Sequence, residues 1–211
     1  MQNWLARFFD FLLCRFIIFL TGVKPQKQLC KITDFSPKVF YSNHSSHGDF
    51  MLLWVSMPYE LRQTIRPVAA KDYWDKGIVR RFLAYQVFNL LLIERKSDHP
   101  QAAIEQMSEA LKTHSLIIFP EGTRKTDDDL SLQPFRKGLY YLAKQNPDVP
   151  LIPIWINNIN NVLPKGYMLP IPLLCELFVG ETQYFTQDEP AVFLQKMEQA
   201  LLALNPKLEK E

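Results

Sequence analysis

His44 and Asp49 are the pair in this sequence best suited to moving a proton: an imidazole separated from a carboxylate by Ser45-Ser46-His47-Gly48. At that separation one side chain can fold back on the other, much as residues about one helical turn apart do. A carboxylate that accepts one ring N–H of His44 fixes the tautomer. It leaves the second nitrogen free to take a proton, which is the layout of a general base. Further along, the apolar run Leu116-Ile117-Ile118-Phe119 leads into Pro120-Glu121-Gly122-Thr123-Arg124. Gly122 lets the backbone approach a ligand closely, and Thr123 and Arg124 offer donors to an anion. Base and anion site together point to an enzyme that deprotonates one group of a phosphorylated substrate.

The elements that must hold these residues alternate in type. Lys38 to Tyr41 reads as a short strand delivering His44 at its exit, and Gly48 to Met57 as a helix ending near Pro58. Strand patterns follow at Arg66 to Ala70, Phe88 to Ile93, Leu116 to Phe119, Leu151 to Ile156 and Leu173 to Val179. Helical patterns fall at Tyr73 to Tyr85, Pro100 to Lys112 (capped by Ser97 or Asp98), Arg136 to Lys144 and Pro190 to Leu204. Short apolar strands alternating with helices predict a single α/β domain with a mostly parallel central sheet flanked by helices. Both motifs then stand at strand exits, where such sheets place their sites.

Composition narrows the class. A chain of 211 residues can bury one sizeable core, and its net charge of +2 gives a nucleic acid nothing to hold. Apolar residues at 47%, with fifteen Phe, exceed the needs of a modest core, so some of that surface is expected to face lipid. Cys14, Cys30 and Cys175 are odd in number and widely spaced. They read as reduced thiols or core filler, not as a disulfide frame or zinc site.

The lipid-facing segment is expected at the N-terminus. Trp4 to Leu20 is almost wholly Phe, Leu, Ile and Trp, interrupted by Arg7, Asp10 and Arg15. On a helix, Asn3, Arg7, Asp10 and Cys14 share one narrow side and the rest is apolar apart from Arg15. Those charges argue against a spanning helix and against a cleaved signal. The expectation is residues 1–24 as an amphipathic membrane-interface helix, with Arg15 reaching to headgroups, and 25–211 as the catalytic domain.

Asn43-His44 with Asp49, and Phe119 to Arg124, resemble the hallmark motifs of the glycerolipid acyltransferases typified by 1-acyl-glycerol-3-phosphate (lysophosphatidic acid) acyltransferase. Further stretches resemble the family: Val68-Ala69-Ala70-Lys71, Ile93-Glu94-Arg95, Pro134 to Gly138, Val149 to Ile154, and Leu163 to Gly166. The likeness runs from about Lys38 to Glu181 and departs where Asn89 and Leu92 replace the family's usual Gly and Phe. It implies that an acyl group moves from an acyl-CoA or acyl carrier protein thioester to the hydroxyl of a lysophospholipid, 1-acyl-glycerol-3-phosphate by default. His44 would be the base and Asp49 its orienting partner, while Arg95, Glu121, Gly122, Thr123 and Arg124 would bind the glycerophosphate part. No cofactor is implied. The other partner is a membrane surface, at the cytoplasmic face of the inner or plasma membrane. Another lysophospholipid or a lyso-aminolipid is the alternative acceptor.

Rival classes fit less well. A dinuclear metallohydrolase would need more ligands than His44, His47 and Asp49, and only His99 and His114 remain. No Gly-x-Ser-x-Gly elbow is present for a serine hydrolase. A non-catalytic lipid-binding protein would have no use for a base, and His47 reads as facing the acceptor channel or water. Lys71 reads as a solvated strand end.

Overall fold

The structure, a computed structural model, describes residues 4–46, 48–94, 100–123, 132–157 and 175–208. Six strands form its sheet among these residues: β1 Val39–Ser42, β2 Ile65–Ala70, β3 Leu91–Ile93, β4 Ser115–Ile118, β5 Leu151–Asn157 and β6 Glu176–Val179. Their order is β3-β2-β4-β1-β5-β6, parallel throughout except for β6, which runs antiparallel to β5. The expected single α/β domain with a mostly parallel sheet is therefore what the chain forms.

Both faces of the sheet are covered, which is why β1, β4 and β5 are buried at every position. Alternate residues serve opposite layers. Phe40, Ile117, Ile152 and Ile154 pack toward α1 Trp4–Thr21, α2 Lys27–Cys30, α3 Asp49–Ser56 and α4 Tyr59–Arg62. Val39, Tyr41, Leu116, Ile118, Leu151 and Trp155 pack toward the other layer, which includes α7 Pro100–Ala110, α8 Gly138–Gln145 and α9 Pro190–Leu202.

Two expected elements come out differently. The helix expected over Tyr73 to Tyr85 is broken into α5 Lys71–Trp74, α6 Ile78–Phe82 and a π-helical turn, Leu83–Val87. Gly77 makes the break with a left-handed φ of 75°. The strand expected from Phe88 begins only at Leu91, because Phe88 and Leu90 give their N–H groups to Leu83 and Ala84 as the π turn closes. Asn89 takes a φ of 50° there, the only non-glycine in that region among the described residues. Asn is among the side chains that tolerate this conformation best. Strand β6 starts at Glu176, with 171–174 outside the described residues, as are the Ser97 and Asp98 cap candidates. Helices α7, α8 and α9 otherwise differ from expectation only at their ends.

Helix α1 carries its polar stripe inward. Ala6, Asp10, Cys14 and Thr21 are buried, while Phe8, Phe11, Phe16 and Phe19 are half or more exposed. Asp10 Oδ1 accepts from Trp54 Nε1 and Arg62 Nη1, both at 2.8 Å. The Arg62 guanidinium also lies over the Trp54 and Tyr59 rings. This network ties α1 to α3 and α4, and burial holds the Cys14 thiol above its ordinary pKa. Arg7, placed with the polar side from sequence, stays exposed over Tyr59, and Arg15 lies over Phe11. Among the described residues, no helix is long and apolar enough to cross a membrane.

Candidate active site

The parallel strands end their C-termini on one edge, and the candidate residues gather there. His44 follows β1 by two positions, and Asp49 opens α3. The chain between them turns tightly, so that Asp49 Oδ2 receives the N–H groups of Ser45 at 2.6 Å and Ser46 at 2.9 Å. The same oxygen lies 2.9 Å from His44 Nδ1. A buried carboxylate at the positive end of a helix, already accepting two main-chain N–H groups, is an acceptor for a third; Nδ1 must therefore carry the proton. Nε2 is left as the basic nitrogen. The His44 side chain is 17% exposed and Asp49 fully buried, so an edge of the imidazole reaches the surface while its partner is sealed.

Two contacts fix His44 further. Its ring stacks on Phe119, centroids 4.3 Å apart at 22°, and the His44 N–H donates to Glu121 Oε1 at 2.7 Å. The other oxygen of Glu121 accepts the Gln133 N–H at 3.1 Å. Glu121, expected from the resemblance to touch the acceptor, is only 2% exposed and has both oxygens committed to the main chain. It braces the His44 turn against the segment entering α8. Burial raises its pKa above the ordinary value, with those two N–H groups acting the other way.

Gly122 has a φ of 72°, and the close approach it permits is to Arg136, not to open space. A Cβ there would come within 2.6 Å of Arg136 Cδ, and Arg136 Nε donates to the Glu121 carbonyl at 3.1 Å. Thr123 is exposed and donates its hydroxyl to Gln133 Oε1 at 3.0 Å. Arg95, Arg124, His47 and Leu163 to Gly166 lie outside the described residues. Lys71, at the exit of β2, pairs with Glu94 at 3.0 Å.

Sequence reasoning passed over three contributors. The Asn43 side chain donates to the Ile156 carbonyl and accepts the Ile156 N–H, locking the β1 exit to β5. Phe119 supplies the stacking face and Arg136 fills the glycine's open side. All three stand in stretches that resemble the family, but the resemblance gave none of them a role. Cys175 is buried, and burial together with the Asp49 charge pushes its thiol up to about 11. It is therefore no thiolate nucleophile at neutral pH.

A proton acceptor held this way is what direct attack by a hydroxyl requires. The acyltransferase family model matches residues 27–157. The chain is 30% identical over 168 residues to a 1-acyl-sn-glycerol-3-phosphate acyltransferase of Limnanthes alba, covering 74% of this chain and 54% of that protein. It is 29% identical over 126 residues to the human 1-acyl-sn-glycerol-3-phosphate acyltransferase beta, covering 59% of this chain and 42% of that one. The chain belongs to the acyltransferase family. It spans about half the length of the curated relatives it matches. Its fold is also similar to the crystal structure of the 1-acyl-sn-glycerophosphate acyltransferase of Thermotoga maritima, with a TM-score of 0.64 and 21% identity over 90% of this chain and 72% of that one.

Proposed function

We propose that this protein transfers a fatty acyl group from a thioester, acyl-CoA or acyl carrier protein, to the free hydroxyl of 1-acyl-glycerol-3-phosphate, giving phosphatidic acid. The observation carrying this reading is the 2.9 Å contact between His44 Nδ1 and Asp49, which leaves Nε2 basic at a strand exit. In the transfer, Nε2 takes the hydroxyl proton as the oxygen bonds to the thioester carbonyl carbon. The tetrahedral intermediate collapses with cleavage of the C–S bond, and the imidazolium returns the proton to the departing thiolate. Asp49 stabilises that imidazolium, and no covalent enzyme intermediate is needed. Arg124 and Arg95 are assigned to the acceptor phosphate on the family resemblance, since the guanidinium fork meets two phosphate oxygens at once.

The acceptor is taken from a membrane surface, with the exposed Phe face of α1 seated in the interface at the cytoplasmic leaflet. Incubating purified protein with a labelled thioester and a panel of lysolipids, then resolving products by mass, tests the reading. Labelled phosphatidic acid is the expected product. Acylation of another lysolipid in its place would reassign the acceptor, and no acylated lipid at all would overturn the reaction.

A further inference from the structure

We infer that α6 forms a second membrane contact, an apolar tip rimmed by cations that enters an anionic lipid surface alongside α1. This rests on the reading of the protein as an interfacial acyltransferase. Ile78 is 88% and Val79 70% exposed, the former the most exposed of the large apolar side chains among the described residues. Exposed apolar side chains standing singly are ordinary, but these two adjoin the exposed Phe face of α1, and a contiguous apolar patch marks an interaction site. Gly77 precedes them, its φ of 75° breaking the chain between α5 and α6, and nothing lies within 4 Å of where its Cβ would be.

The tip is continuous with the α1 face. Ile78 is four residues before Phe82 and so shares a helical side with it. Phe82 meets Phe9 edge to face with centroids 5.6 Å apart. Phe9 is itself 40% exposed and adjoins Phe8. An unbroken apolar path therefore leads from α1 across Phe82 to Ile78. Charge complements it: Lys71, Lys76, Arg80 and Arg81 stand against Asp72 and Asp75 in the same stretch. Arg81 is partly paired with Asp75 at 3.2 Å, Lys71 with Glu94, and Arg80 lies over Tyr73, while Lys76 is exposed. This excess of positive charge beside an apolar tip suits anionic headgroups over an acyl layer. Because α5 and α6 follow the C-terminal end of β2, the contact lies at the sheet edge that carries His44. Extending the α1 face to α6 widens the attachment beyond one helix axis, which orients the molecule on the lipid plane as α1 alone would not.

The test is co-sedimentation of the full chain with vesicles of phosphatidylcholine and phosphatidylglycerol, and with phosphatidylcholine alone. The double substitution Ile78→Ser/Val79→Ser should lower partitioning about tenfold or more, by loss of two apolar side chains from the interface. Arg80→Gln/Arg81→Gln should lower it roughly fivefold per charge on the anionic vesicles only. Turnover of a short-chain, water-soluble lysolipid should stay at the wild-type level in both. Wild-type vesicle binding unmoved by Ile78→Ser/Val79→Ser overturns the α6 contact and leaves the interfacial reading standing. Failure of the wild-type chain to bind either vesicle overturns both. A change in oligomeric state without lipid, with unchanged vesicle binding, would assign the tip to a second copy of the chain and also overturns the proposal.

Discussion

Asp49 and Asp10 are both buried, both on helices, and both hydrogen-bonded to a nitrogenous side chain and a further N–H donor, yet they do different things. Asp49 faces an imidazole, whose charge can change at neutral pH. Asp10 faces a guanidinium, whose charge cannot. The first pair stores the capacity to take up a proton, and one member reaches the outside. The second pair is sealed at both ends and can only hold α1 to α3 and α4. A buried carboxylate is therefore informative about chemistry only through what it is paired with.

Removing the partner at each site separates the two roles most sharply. His44→Ala should lower acyl transfer per folded molecule by ~10²–10⁴-fold; because the ring is largely buried against Phe119 and Asp49, the unfolding midpoint should fall as well. Asp49→Asn should fall in the same range, since an amide can sit beside the ring but cannot stabilise the imidazolium. Single-turnover assays with a water-soluble lysolipid measure both; a variant at His44 retaining more than about a tenth of the activity would remove it from the mechanism.

Asp10→Ala departs from that pattern. It leaves the Arg62 guanidinium and the Trp54 N–H without their acceptor, and breaking a buried pair by removing one partner costs about 3–5 kcal/mol. Turnover per folded molecule toward the soluble acceptor should persist. Replacing the pair together, Asp10→Leu with Arg62→Met, should recover most of that loss in chemical denaturation, as apolar substitutes for buried ion pairs often do. The corresponding apolar replacement of His44 and Asp49 would be inert and would also strand the Ser45 and Ser46 N–H groups that Asp49 accepts.

How each aspartate could be read from the sequence follows from distance along the chain. His44 and Asp49 are local, so their spacing alone announced a contact, and the apolar strands around them announced the parallel sheet. Asp10 finds Arg62 and Trp54 across long separations, and nothing in the Trp4 to Leu20 stretch says that its polar side turns inward. The pattern showed a two-sided helix; only packing decides which side meets protein. The same limit applies to Glu121, whose bonds to His44 and Gln133 depend on how two strand exits and the start of α8 converge. The break at Gly77 was written in the sequence as a glycine inside a helical pattern, but its left-handed φ was not.

Glu121 is intermediate between the two aspartates, a brace that touches the His44 backbone. Glu121→Gln turns an NH₂ toward one of the two main-chain donors and should cost about 1–3 kcal/mol, with a fall in rate because the His44 turn loosens. The pH dependence carries a sign. Burial raises the carboxyl's pKa in the folded state, so its contribution to stability is fully present below the unfolded value of about 4.3 and is lost as pH rises through the folded one. The stability gap between wild type and Glu121→Gln should therefore be widest in acid and narrow toward neutrality. Denaturant midpoints for both proteins across that range decide it, and a gap that widens with pH would mean that the ionised form is the one the fold stabilises.

The smallest effect belongs to an ion pair with neither burial nor a titrating partner. Lys71 and Glu94 are 3.0 Å apart, with side chains 47% and 65% exposed. Water screens such a pair and two flexible side chains lose entropy in making it, so its contribution is about 0.2–1 kcal/mol. Lys71→Ala should leave the unfolding midpoint almost unchanged, and the remaining effect should disappear in high salt. Its value lies in the kinetics, since Lys71 stands at the exit of β2, on the same sheet edge as His44. A solvated lysine predicts unchanged Michaelis constants for both lysolipid and thioester. A rise confined to the lysolipid would show that Lys71 gives up Glu94 to meet the acceptor phosphate, which would make this exposed pair, unlike Asp10 and Arg62, part of the chemistry.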